Sequence, residues 1–136
     1  SPLHGIAITF LAAFNDLDGS AHVALRTPDC QHFFAPASLN LVSPKSNEEF
    51  KAHLTNLHAV MEHFPVAAKE IHVHDSGPNS QVIIWATGTP AFRAEAIDDE
   101  EDWNVTNEYM FILDFDESQK IKRIVEFLDA KTTGRL

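Results

Sequence analysis

Cysteine occurs once, at Cys30, so the chain closes no internal disulfide and builds no cysteine-based zinc cage. A lone thiol suits a reducing compartment. Basic residues are outnumbered, ten Lys and Arg against twenty Asp and Glu, for a net charge of −10. That mean field repels phosphate and opposes nonspecific binding to nucleic acid or to an anionic membrane. The apolar run at 6–14 is too short to span a bilayer, lacks a basic leader and passes straight into Asn15-Asp16. We expect a soluble, cytoplasmic protein. There is no G-x-S-x-G, no phosphate loop and no dinucleotide fingerprint, which removes the commonest nucleophile elbow and nucleotide folds. No repeat or linker divides the chain either. Its 136 residues suit a single domain over 1–136.

Apolar residues are plentiful, 44% of the chain with ten Phe among them, enough for a real core. Their spacing changes along the sequence. Positions 3, 6, 7, 10, 11, 14 and 17 are apolar at helical intervals, predicting a first helix stopped by Asp18-Gly19. Ser20 is the expected cap of a short second helix running to Arg26. Residues 30–35 read as a strand ending at Pro36, with His32 and Phe34 on one face. Residues 36–46 read as a loop. Ser46 or Asn47, followed by Glu48 and Glu49, opens a third helix, since acids suit the N-terminal dipole. Phe50, Leu54, Leu57, Val60, Met61 and Phe64 form its stripe, and Pro65 closes it. Beyond Pro65 the pattern is of strands, at 66–75 and 81–87, then an acidic connection at 94–102 that we read as a solvated loop. Residues 131–136 read as a loose tail. Three helices followed by an antiparallel meander predict an α+β fold, helices on one face of a curved sheet.

The stretch at 107–129 organises the rest. Two branched and aromatic runs, 108–115 and 121–128, flank the polar residues Asp116-Glu117-Ser118-Gln119, a hairpin signal without an Asn-Gly to fix the turn type. Side chains alternate along a strand, so Ile124, Glu126 and Leu128 share one face and Arg123, Val125, Phe127 and Asp129 the other. Glu126 is thus a carboxylate between two large apolar residues. Such a group destabilises unless it is hydrogen-bonded, neutralised or useful.

The sequences DCQHFFAPASL at 29–39, NEYMFILDFDES at 107–118 and KIKRIVEFLDA at 120–130, in this order of elements, resemble the nuclear transport factor 2-like superfamily. Within it they are similar to the small SnoaL-like proteins of fungal secondary metabolism, related to polyketide cyclases and ketosteroid isomerases. The resemblance covers nearly the whole chain. It implies a cone-shaped, curved antiparallel or mixed sheet packed against three N-terminal helices, a cystatin-like α+β barrel. It also implies a pocket inside the cone and a homodimer through the outer face of the sheet. Members of this kind place a catalytic carboxylate on the inward face of the final strand, which falls on Glu126, where relatives commonly have Asp. They place a polar group on the first strand four residues before its closing proline, which falls on His32.

An apolar cavity moves a carboxyl and an imidazole toward neutrality, as general acid–base catalysis needs. The expected activity is that of a cofactor-independent isomerase, cyclase or dehydratase on a polyketide or meroterpenoid intermediate. The alternative is a noncatalytic carrier or dimeric interaction module. In that bland reading Glu126 pairs with Arg123 or Arg93, and His32 is a satisfied core residue. Asn107 and Tyr109 share a face with Phe111 and Leu113, either lining the pocket or the dimer interface. Phe34, Trp85, Leu57, Met61, Ile124 and Leu128 complete the expected lining for a small hydrophobic substrate, although Trp85 reads more readily as a packing residue than as a stacking one. His72 and His74 share a strand face that points outward, so no metal site is expected. His53, His58 and His63 fall at mixed angles, and Cys30 has no activating neighbours.

Overall fold

The computed structural model describes residues 1–39, 43–96 and 106–129. The first helix, α1 (Pro2–Asn15), turns Leu3, Ala7, Phe10, Leu11, Ala13 and Phe14 inward, and the Ser1 hydroxyl caps it. It stops because Leu17 takes a left-handed conformation (φ 54°), bending the chain while keeping its own side chain buried. The second helix, α2 (Gly19–Ala24), is capped by the Asp18 carboxylate, which accepts from the Ala21 N–H at 3.0 Å. The expected cap, Ser20, therefore lies inside it, and Arg26 lies beyond its end.

Strand β1 (Arg26–Ala35) begins four residues earlier than the sequence suggests. Residues 27–30 bulge between two points of regular pairing, where a proline is tolerated. Helix α3 (Asn47–His58) starts as predicted. Ser46 Oγ accepts from the Glu49 N–H at 3.2 Å, and the Glu49 carboxylate accepts from the Ser46 N–H at 3.0 Å. Ser46→Ala is expected to cost about 1 kcal/mol, read as a lowered thermal midpoint.

The third helix ends at His58 rather than continuing to Phe64. Residues before a proline favour extended backbone, and Met61–His63 forms a short strand, β2, paired with Ala91–Phe92. Arg93 secures the break: its Nε donates to the His58 carbonyl and its N–H to the Val60 carbonyl, both at 2.9 Å. Strands β3 (Val66–His74) and β4 (Gln81–Gly88) follow, then β5 (Ala91–Phe92), β6 (Asn107–Phe115) and β7 (Ile121–Leu128). The acidic connection beyond residue 96 and the tail at 131–136 lie outside the described residues.

The main sheet has the order β1-β7-β6-β4-β3, antiparallel except for the parallel β1–β7 pair. It is mixed, as expected, but among the described residues it is an open sheet and not a closed barrel. The hairpin turn is held by Asp116, whose carboxylate accepts from the Ser118 and Lys120 N–H groups at 2.9 Å. A bulge at Lys122 changes the register, so Ile121 and Ile124, three apart, are both buried. One face carries Val82, Ile84, Ala86, Tyr109, Phe111, Leu113 and Ile124 into the core, against Phe10, Phe14, Phe50 and Leu54 from the helices. Among the described residues no helix is long and apolar enough to cross a membrane.

Candidate active site

Parallel pairing of β1 with β7 sets Phe34 beside Glu126 and His32 beside Ile124. His32 and Glu126 both turn inward, so their tips meet diagonally across the ladder. The distance from His32 Nε2 to Glu126 Oε1 is 2.8 Å. His32 is wholly buried, while the Glu126 side chain keeps 9% of its surface open. The imidazole is clamped between two phenyl rings. Phe34 stacks on it at 4.8 Å and 21°, and Phe50 at 4.4 Å and 15°. The ring can therefore address Glu126 only with its edge.

Glu126 stands against Phe111 on β6 and Phe34 on β1. Burial among these groups pushes its carboxyl up to about 7, with the charges of His53 and Arg26 pulling the other way. Burial also holds His32 well below its usual value, helped by the positive charge of Arg26. Both shifts favour a neutral hydrogen-bonded pair over an ion pair. Its hydrogen resides on Nε2 when Glu126 is ionised and on Oε1 when it is not. The two arginines that could have neutralised Glu126 are engaged elsewhere, Arg123 on Asp114 at 2.6 Å and Arg93 on His58.

Asn107 and Tyr109 are buried on the inner face, which rules out the outer interface for them. Asn107 Nδ2 donates to the Tyr109 hydroxyl at 3.1 Å, leaving the phenolic hydrogen free to donate in turn. Burial, and then the nearby Glu126 charge, keep that phenol protonated. Gly88 makes room for it: a Cβ there would lie 2.8 Å from the Tyr109 ring and 2.6 Å from Phe64. Ile124 is buried beside the pair, and Phe34 and Leu128 are half-buried. Leu57 packs on the core from α3; Met61 is buried too, but from β2 rather than from the helix.

Trp85 is not with them. Buried Ile84 and Ala86 flank it in the strand, so it faces the other side of the sheet, where the Lys69 ammonium lies 4.3 Å from its ring centre. His72 and His74 are exposed on the edge strand, and His72 bonds to Glu70 at 2.8 Å. Among the described residues no group of His, Cys, Asp and Glu has the arrangement of a metal site. Burial pushes the Cys30 thiol up to about 11, so it stays protonated.

Three polar residues join the site that sequence reasoning did not place there. His22 is fully buried in contact with Phe10, Phe14 and Phe50. Arg26 is 5% exposed, with its guanidinium 4.4 Å over the Phe50 ring and Nη2 at 3.4 Å from His22 Nδ1. His53 lies against Phe34 and Phe50, its pKa lowered by burial and then by Lys45, with Glu126 opposing. A signal existed for His53, which follows Phe50 by three residues and so shares its helix face. None existed for Arg26, because the bulge after it breaks the alternation.

No family model matches the sequence, and no curated protein matches it. Solved structures do. BvnE pinacolase from Penicillium brevicompactum is 23% identical with a TM-score of 0.78, over 97% of this chain and 86% of that one. PrhC from Penicillium brasilianum is 18% identical with a TM-score of 0.81, over 97% and 83%. A SnoaL-like protein from Shewanella denitrificans is 15% identical with a TM-score of 0.74, over 98% and 94%. The chain has the fold shared by the nuclear transport factor 2-like and ketosteroid isomerase-like proteins, as its sequence resemblance implied.

Proposed function

We propose that the protein is a cofactor-independent isomerase, cyclase or dehydratase, working in the cytoplasm on a small hydrophobic intermediate of polyketide or meroterpenoid type. The observation that carries this reading is the buried 2.8 Å contact between His32 and Glu126. Glu126 keeps some open surface and His32 none, so Glu126 is the group that meets substrate. His32, fixed between two rings, is a positioning residue that holds the carboxyl and its proton. A carboxyl that titrates near neutrality exists in both forms at working pH, as a proton-transfer group must. Ionised Glu126 takes a proton from the substrate, and the electron pair left behind moves onto a conjugated oxygen. Tyr109, braced by Asn107, donates a hydrogen bond to that oxygen. The proton then returns at another position, closing an isomerisation, or leaves with a hydroxyl as water. The pinacolase named for BvnE supports small-molecule chemistry on this fold.

The test is to incubate purified protein with candidate intermediates beside its Glu126→Gln variant. Turnover by the natural chain and none by the variant is expected. Unchanged turnover removes Glu126 from the chemistry, and no turnover by either favours a carrier.

We further infer a homodimer through the outer sheet face. Met110 and Phe127 are cross-strand neighbours there, 41% and 43% exposed, and Trp85 pairs with Met110 on the next strand. An open apolar row of this kind is what an isologous interface would cover. Light scattering is expected to give twice the chain mass, and Phe127→Asp to halve it. A monomeric natural chain would contradict the inference.

A further inference from the structure

We propose that the site selects substrates carrying a delocalised oxyanion, an enolate or phenolate, and that Arg26 holds it. This deepens the functional reading in that it takes the inner sheet face as the substrate site, but it does not require Glu126 to be the base.

A guanidinium has five N–H donors and no acceptor. Arg26 is almost fully buried, yet its one polar contact among the described residues is Nη2 to His22 Nδ1 at 3.4 Å, while Nε and Nη1 have no partner. No carboxylate of the described residues forms an ion pair with it. A buried cation without a counter-ion is among the costlier arrangements in a protein, and an arriving anion relieves it. Glu126 offers only a partial answer. It lies close enough for Arg26 to feel its charge, but His32 already occupies its Oε1 and it is often protonated at neutral pH.

Among the described residues, the other buried titratable groups around Arg26 supply no negative charge. His22 and His32 are held neutral, and the Cys30 thiol and Tyr109 phenol stay protonated. The core is thus poised between neutral and singly positive. The rings nearest the guanidinium are flat, with Phe50 4.4 Å beneath it and His32 stacked in turn on Phe50 and Phe34. A planar anion with spread charge suits such rings. A compact, multiply charged phosphate does not, and the chain's net charge of −10 repels it further.

The probes are para-nitrophenolate and its neutral isostere para-nitroanisole, titrated by calorimetry into the full chain at constant ionic strength, above the pKa of the phenol. The natural protein is expected to bind the anion roughly 10–100-fold more tightly, the range of a charge-assisted hydrogen-bonded contact. Arg26→Met is expected to abolish that preference and Arg26→Lys to keep part of it. Equal affinity for the two probes, binding of neither, or a folded Arg26→Met protein that still prefers the anion would each overturn the proposal. If Arg26→Met fails to fold, the comparison of the two probes on the natural chain decides alone. Turnover that survives Glu126→Gln would defeat the acid–base reading and leave this preference standing. Loss of the preference with turnover intact would do the reverse.

Discussion

Glu126→Gln is expected to lower kcat by roughly 10²–10⁴-fold while making the folded protein more stable above neutral pH. The two effects have one cause. Glutamine keeps the size of the side chain and a hydrogen-bonding atom for His32, but it can neither take nor give a proton. Its amide also carries no charge to be stripped of water. Glu126 is pushed from the ordinary 4.5 up to about 7 because burial disfavours the ionised form. The folded state therefore holds its proton more tightly than the unfolded one. Below about 4.5 both states are protonated and the full contribution is present. As pH rises from there through about 7 the unfolded chain ionises first, and stability from this group falls. Above about 7 the loss is complete, on the order of 3 kcal/mol.

The buried histidines act in the opposite direction. His22 and His32 have depressed values, so their contribution is complete above the ordinary 6.5 and is lost as pH falls toward their folded values. The difference in unfolding free energy between natural chain and variant isolates Glu126 from them. That difference should grow in the variant's favour up to about pH 7 and then level. A flat difference would mean that Glu126 is solvated in the folded state.

The second large effect concerns His32. A phenyl ring fits the slot between Phe34 and Phe50, so His32→Phe removes the hydrogen bond to Glu126 with little change in packing. The ionised carboxylate then loses its donor, and the pKa of Glu126 rises further. In a profile of kcat/KM against pH, the limb that reports Glu126 moves to higher pH, and the rate at neutral pH falls by about 10–100-fold. A purely structural His32 would lower stability and leave the limb where it was.

The flanking of Glu126 was legible before any coordinates. Strict alternation through residues 124–128 put it between two apolar neighbours on one face, whereas His32 was singled out by the family resemblance, four residues before Pro36. Only the first follows from period-two geometry. The same rule could not say which side of the strand bearing Trp85 was inside; the buried positions are Val82, Ile84 and Ala86. Where the backbone departs from regular pairing, the sequence is silent. Arg26 precedes a bulge over Thr27-Pro28-Asp29, so no alternation carries it to the core. The third helix read too long because Met61 and Phe64 are buried whether the backbone is helical or extended. What ends it is Arg93, thirty-five residues away from the His58 carbonyl it binds. A contact of that range leaves no local pattern to read.

The most direct measurement is an NMR titration of the glutamate side-chain carboxyl carbons in the intact protein, with Glu126→Gln identifying the resonance. One carboxyl should titrate with a midpoint near pH 7 and be missing from the variant. A Glu126 midpoint at the ordinary glutamate value, near 4.5, would show that the carboxyl is not desolvated and would contradict the account.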